Sequence, residues 1–437
     1  MDSPANRHVS SVRLFRIREF LVSRLWFVPI LCVLGGVALS FGTIAVDRLF
    51  GGSAVPRVLS GDPDAALAIL TTVAASMVTL TGFVLTVTMV VVQLAMGQFS
   101  PRVLRTILRD RPSQFAIGVF VATFAHAMLV MREVKSPSGG DDGYVPGLAI
   151  IVAFVLILVS IMVLVSYVNH IGQSLRVASI IQSVGDETRE LLDELFPEEP
   201  DEVEAPAGSP EDAPDRVVPS PKSGVVFRVD AEELVRYARD ADVVLVLVPH
   251  IGDFVPEGAP LFDVHGEAAD LDETALIRAV ALGQERTMHQ DLAFGFRMLV
   301  DVAQRSLSSA MGDPTTAIQA IDRLHDCLRQ LATRPFPSGF HTDEQGRVRL
   351  VVPTLSWDGY VNLALDEIRH YGEGAVQVTR RLKAMLDDLI LIAPADRRPP
   401  LERQLRLVEA MSERGFDDRE DMDAAIEPDP QGVGSTR

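Results

Sequence analysis

The residues best suited to chemistry fall in one stretch, "RTMHQDLAFGFRMLVDVAQRSLSSAMGDPTTAIQAIDRLHDCLRQLAT", from Arg286 to Thr333. It carries Asp291, Arg297, Asp301, Asp313, Thr315, Thr316 and Asp322, with His289 just before Asp291 and His325 just after Asp322. Carboxylates beside imidazoles could ligate a divalent metal or work as an acid–base pair. Their spacing matches no recognised metal set or triad, and the chain has no phosphate-cradling Gly-rich loop and no dinucleotide fingerprint. Helix caps and solvated helix faces are the competing account: Asp313 before Pro314 reads as an N-cap and a first helical residue. The expectation is no catalytic residue, no metal, no cofactor and no enzyme.

A second polar set lies in apolar surroundings. From Ala65 to Ser100 there are 36 uncharged residues. Within them Thr72, Thr79, Thr86, Gln93 and Ser100 recur every seventh position, and Ser76 follows Thr72 by four. A seven-residue repeat marks one side of a helix in a left-handed packing arrangement. Two readings stay open. Small and hydroxylated residues let membrane helices approach closely; alternatively, the stripes of several subunits line a pore or cavity. Threonine can bond its own preceding turn, whereas the glutamine amide cannot be met by its own helix alone. His126, in "ATFAHAMLV", is the remaining intramembrane polar candidate; it is expected to bond a hydroxyl of the second span, with a functional role as the sharper reading.

These residues need elements to hold them. Four apolar runs are long enough to cross a bilayer, about 25–46, 66–96, 112–131 and 144–168, since about 20 residues suffice. The second would be roughly 54 Å long as a helix, longer than the hydrocarbon core. The flank 1–24 is basic, and the loop after the second span holds Arg102, Arg105, Arg109 and Arg111. By the positive-inside rule both termini are cytoplasmic, in a bacterial cytoplasmic membrane. "SPRVLRTILRDRP" reads as a short amphipathic helix whose arginines reach lipid phosphates, a selectivity collar being the alternative.

Charge divides the chain at the same place. Residues 1–170 hold 13 Lys+Arg and 9 Asp+Glu; the whole chain has 40 and 59, leaving 27 and 50, or −23, for the rest. That excess argues against nucleic acid as a partner. The expected order is a helical stalk (169–196), an acidic Pro-rich linker (197–216), a small β-rich module (217–266), a helical domain (267–413) and a disordered acidic tail (414–437). In "GDFVPEGAPLFDV" the pattern resembles the hairpin of lipoyl- and biotinyl-type β-sandwich domains; the lysine that carries the prosthetic group has no counterpart, so the resemblance implies the shape alone. The fold class is thus a four-helix membrane all-α region plus a cytoplasmic α+β region with a small lipoyl-like sandwich.

The stretches "WFVP" (Trp26–Pro29), "QLAMGQFSPRVLRTILRDR" (Gln93–Arg111), "VNHIGQSLRVASII" (Val168–Ile181), "GDFVPEG", "DLAFGFRMLVDVAQRSLS" and "GDPTTAIQAIDRL" together resemble a bacterial family of predicted membrane proteins, domain of unknown function 2254. Its members typically read Asn-Asp-Pro where this chain has Gly312-Asp313-Pro314. The resemblance implies four spans with a cytoplasmic domain and no established activity. "LTGFVLTVTMVVVQL" is also similar to the pore helix of store-operated calcium channels, without their acidic filter residue. The function expected is an oligomeric channel-like or permeation protein, homo-oligomeric through the second span and regulated by its cytoplasmic domain. The alternatives are a scaffold or sensor recruiting a cytoplasmic protein partner, and a membrane-bound enzyme.

Overall fold

The computed structural model describes residues 26–49, 62–98, 111–135, 144–174, 176–198, 212–267, 271–308, 311–416 and 418–430. The basic segment 1–24, the positions Ser100, Arg102, Arg105 and Arg109, and most of the acidic linker lie outside the described residues. The chain divides into two compact units, one within Phe15–Arg176 and one over Val177–Arg437.

The first unit is four helices: α1 (Phe27–Leu49), α2 (Pro63–Gln98), α3 (Arg111–Glu133) and α4 (Gly147–Ser174). All four are long and apolar enough to cross a membrane. Helix α3, which Arg111 opens, packs against the other three. Small residues set its approach to α1. A Cβ on Gly36 would lie 2.8 Å from the Ala122 carbonyl oxygen, and one on Gly118 would lie 2.7 Å from the Cys32 sulfur. Ala66, Leu70, Val73, Met77, Val84 and Val91 form the buried side of α2, recurring at three-, four- and seven-residue steps. Asp47, which the sequence reading left outside its first span, is buried. Its two carboxylate oxygens accept the Leu148 and Ala149 N–H groups at 3.1 Å each and so cap the start of α4.

The second unit begins with α5 (Val177–Leu195) and continues as β1 (Arg216–Pro219), β2 (Gly224–Val229), α6 (Ala231–Asp240), β3 (Val244–Leu247), β4 (Phe254–Val255), β5 (Pro260–His265), α7 (Glu273–Arg278), β6 (Val280–Gly283), α8 (Leu292–Leu307) and α9 (Pro314–Leu331). It ends with β7 (Phe340–Thr342), β8 (Val348–Val351), α10 (Trp357–Tyr371), α11 (Val376–Ile392), α12 (Arg398–Gly415) and α13 (Arg419–Ile426). Six of these helices start on a side chain that accepts an N–H of the first turn: Asp230, Asp272, Asp291, Asp313, Ser356 and Asp418.

The strands form two sheets. One has the order β1-β5-β3-β8-β7, the other β4-β2-β6. All pairs are antiparallel except β3 with β8, which places Leu245 beside Leu350. Buried Val226, Leu234, Leu245, Phe262, Leu276 and Leu350 belong to one core.

Four expectations are corrected here. The stretch 217–266 is not a self-contained lipoyl-like sandwich, because β2 needs β6 and β3 needs β8 as partners. Nor do the strands of "GDFVPEGAPLFDV" form a hairpin: β4 joins β2 in one sheet, and β5 joins β1 and β3 in the other. The turn at Gly258, with φ +80°, redirects the chain between sheets. Helix α5 is no free stalk. It starts beyond the end of α4 at Ser174, and Ile181, Val184, Thr188, Leu191 and Leu192 are buried within the second unit. Gly295 of α8 sits so close to it that a Cβ there would lie 2.4 Å from the Thr188 hydroxyl. Finally, the acidic tail holds α13, which buries Ala425 and accepts a hydrogen bond at the Ala424 carbonyl from Arg380.

Candidate ligand-binding site

A cavity of about 1340 Å³ opens in the second unit. Ligand pockets commonly measure roughly 300–1,000 Å³, so this one has the volume for a drug-sized molecule. Six separate pieces of chain wall it: the end of α5 (Glu194–Pro197), the start of α6, His250–Asp253, the approach to and first turns of α8, the loop Pro335–His341, and Val352–Leu363. Three of its rings form one connected set. Phe196, Phe336 and Tyr360 lie with centroids 5.2–6.2 Å apart, edge to face or tilted.

At its floor, Arg286 donates from Nε to Asp291 Oδ2 at 2.8 Å and from Nη2 to Oδ1 at 3.0 Å. Asp291 also accepts the Phe294 N–H at 3.0 Å, so one buried carboxylate both caps α8 and holds a guanidinium. Burial pushes the Asp291 carboxyl above the usual carboxylate range, with Arg286 pulling against it. The pair fits only because residue 252 is glycine at φ +96°: a Cβ there would lie 2.3 Å from Asp291 Oδ2 and 2.6 Å from Arg286 Nη2. Beside it, the Gln290 amide accepts the Val229 N–H at 2.8 Å and donates to the Val229 carbonyl at 3.2 Å, standing in for a strand neighbour.

Arg297 is engaged on every nitrogen. Nε donates to Asp301 at 2.7 Å, and Nη1 and Nη2 clasp Glu367 at 2.5 and 2.7 Å. His341 lines the cavity, and burial holds its imidazole below the ordinary value. Tyr360 is buried among the rings; burial pushes its phenol up, and Asp291 adds to the rise.

The polar residues singled out from sequence are thus dispersed. Asp291 and Arg297 line the cavity. Asp313 caps α9, and its carboxylate also accepts the Thr316 hydroxyl at 2.6 Å. Asp322 and His325 face α11 instead: Arg381 joins them at 2.6 and 2.9 Å, and His325 reaches Asp388 at 2.8 Å. Among the described residues no three His, Cys, Asp or Glu side chains gather as a metal site. Sequence reasoning missed the rings and His341, whose segments are far apart in the chain and carry no motif of their own.

In the first unit, Thr72, Ser76, Thr79, Thr86 and Gln93 all fall on the exposed side of α2, away from its buried seam. Each hydroxyl of this stripe bonds its own helix: Thr72 to Ala68, Ser76 to Thr72, Thr79 to Ala75 and Thr86 to Gly82, at 2.7–3.1 Å. Gln93 has no such bond among the described residues. His126 is fully buried, and its partner corrects the expectation: Nδ1 meets Ser40 of α1 at 2.8 Å, and Nε2 donates to the Ala149 carbonyl at 3.0 Å. The hydroxyl comes from the first span and not the second.

The segments "GDFVPEG" and "DLAFGFRMLVDVAQRSLS" therefore meet at one floor, Gly252 beneath the Asp291 pair. Among known proteins, the model of the family described as Predicted membrane protein (DUF2254) matches residues 22–388. The chain belongs to this family. Similar proteins include uncharacterised proteins of two Mycobacterium tuberculosis strains and of Mycobacterium bovis, each 32% identical over 425 residues, covering 93% of this chain and 79% of the relative. No solved structure matches.

Proposed function

We propose that this membrane protein is a sensor whose α/β unit, on the cytoplasmic side, binds a small molecule and passes the bound state to the four-helix unit. The observation that carries the reading is the cavity of about 1340 Å³, walled by connected rings and floored by a fully paired Arg286–Asp291. Apolar walls with a few fixed polar groups are the usual make-up of a ligand site. Glu194–Pro197, at the end of α5, form one wall, and the start of α5 follows α4 in the chain. A guest there touches the helix that leads directly from the last span. The reading assigns no reaction to the site.

The test is extraction of purified full-length protein followed by mass spectrometry. A small molecule is expected in the extract. Leu363→Trp, which projects an indole into the cavity, is expected to abolish its recovery while the melting temperature stays within a few degrees. Equal recovery from both proteins sinks the reading.

A second reading keeps the membrane unit as a permeation path, formed by several copies. Its support is the exposed stripe on α2, above all the Gln93 amide, which a single chain leaves without a partner among the described residues. An amide facing acyl chains would lack hydrogen-bond partners, and a second copy or water would supply them. Mass photometry in nanodiscs decides the precondition: a monomer ends this reading.

A further inference from the structure

The cavity's charge pattern narrows its guest. Three carboxylates line it, Glu194, Asp253 and Asp291, against two guanidiniums, Arg286 and Arg297. Both guanidiniums are already spent. Arg286 faces Asp291 in a two-bond pair, and Arg297 is shared between Asp301 and Glu367, so that one positive charge stands against two negative ones. An entering anion would find only the outer Nη1 edge of Arg286, in a pair that is neutral as a whole.

The acids are less committed. Asp253 accepts the His250 N–H at 2.9 Å and keeps acceptor capacity. Glu194 has no hydrogen bond or ion pair among the described residues, and both side chains are exposed. Of the other cavity side chains, burial holds the His341 imidazole below its ordinary value, so it adds little positive charge. The longer-range field has the same sign, since residues 171–437 carry 27 Lys+Arg and 50 Asp+Glu, a balance of −23. Aromatic faces add to this, because a ring quadrupole attracts a cation and repels an anion.

Resting on the sensor reading above, we infer that the cavity takes an organic cation with an apolar body, an alkyl- or arylammonium. Its charged head sits against the free carboxylates and its body among Phe196, Phe336 and Tyr360. A bare metal ion does not fit this pattern, because the walls are mainly carbon and no carboxylate cluster converges.

Three probes of one shape test the inference by calorimetry on the full chain in nanodiscs, with protein-free discs subtracted. They are benzyltrimethylammonium, its uncharged counterpart neopentylbenzene, and phenylmethanesulfonate. The cation is expected to bind at least tenfold more tightly than either of the others. Asp253→Asn and Glu194→Gln, at exposed positions, are each expected to weaken the cation about fivefold and leave neopentylbenzene unchanged. Tighter binding of the sulfonate, or equal binding of all three, overturns the cation inference while leaving a ligand cavity in place. Failure of all three to bind, with no change on Leu363→Trp, overturns the sensor reading and this inference together.

Discussion

Gly252 lies directly beneath the carboxylate of Asp291. A Cβ at 252 would come within 2.3 Å of Oδ2, and the backbone there, at φ +96°, is one that only glycine adopts cheaply. Gly252→Ala is therefore expected to cost about 2–4 kcal/mol, from backbone strain and a displaced buried ion pair together. Thermal unfolding of the full chain measures it. Gly258→Ala is the control, with φ +80° but open space around it, and is expected to cost about 1 kcal/mol, the backbone part alone. Equal losses would mean that the pair tolerates displacement.

The seam between α1 and α3 gives a second expectation. At Gly36 a Cβ would meet the backbone oxygen and Cβ of Ala122 at 2.8 and 2.9 Å, so the helices themselves must part. At Gly42 nothing lies within 4 Å. Gly36→Ala is expected to lower stability by about 1–3 kcal/mol, and Gly42→Ala to leave it unchanged or raise it. Melting in detergent distinguishes them.

His325 carries a pH dependence whose sign follows from its bonds. Arg381 donates to Nδ1, so the single ring proton sits on Nε2 and points at Asp388. Burial first, then Arg381, holds this imidazole below its ordinary 6.5. A group depressed in the folded state supplies stability present above 6.5 and lost as pH falls below it. Burial pushes Asp388 up, but bonds from Arg329 and His325 outweigh it and hold it below 3.8, so its share is lost only at lower pH. The melting temperature is expected to fall as pH drops below about 6.5. His325→Gln should flatten part of that fall and His325→Gln with His341→Gln more of it, since burial depresses His341 as well. An undiminished slope in the double variant refutes the assignment.

The α2 stripe can be probed with thiols against a low background. Cys327 is buried and its thiol is pushed up to about 12, which leaves it inert at neutral pH; only Cys32 needs replacing. Single cysteines at Thr79, Thr86 and Gln93 are expected to react with a water-soluble reagent if several copies line a wet path. Lipid-facing positions such as Leu85 and Met89 should stay silent. Silence at all three stripe positions ends the permeation reading. Thr79→Val and Thr86→Val are expected to cost under about 0.5 kcal/mol, each hydroxyl being exposed and bonded only to its own helix.

What could be read from the sequence was what neighbours in the chain decide. Uncharged length gave the four apolar helices. Asp-Pro gave the start of α9. The helical stretch expected over 169–196 gave α5, though not that it packs on α8 and α9. Distant partners escaped. β6 is four residues, "VALG", whose strand character comes only from β2 more than fifty residues earlier. Asp291 was legible as a cap, since helix starts are local chemistry, but the room that Gly252 leaves for its bond to Arg286, five residues earlier, depends on two segments meeting. His126 was placed with the wrong helix for the same reason: a polar side chain announces that it needs a partner and not which one.

Arg334 ties two events to one short piece of chain. Its guanidinium holds the Leu192 and Phe196 carbonyls at the end of α5 and reaches Asp193 at 2.5 Å. Its immediate successors, Pro335 and Phe336, are cavity wall. Whatever swings that wall by an ångström tugs on the clasp that keeps the last turn of α5 wound. If the sensor reading holds, occupancy of the chamber and the tightness of that helical coil are geared to each other, with the Arg334–Pro335 peptide bond as the axle.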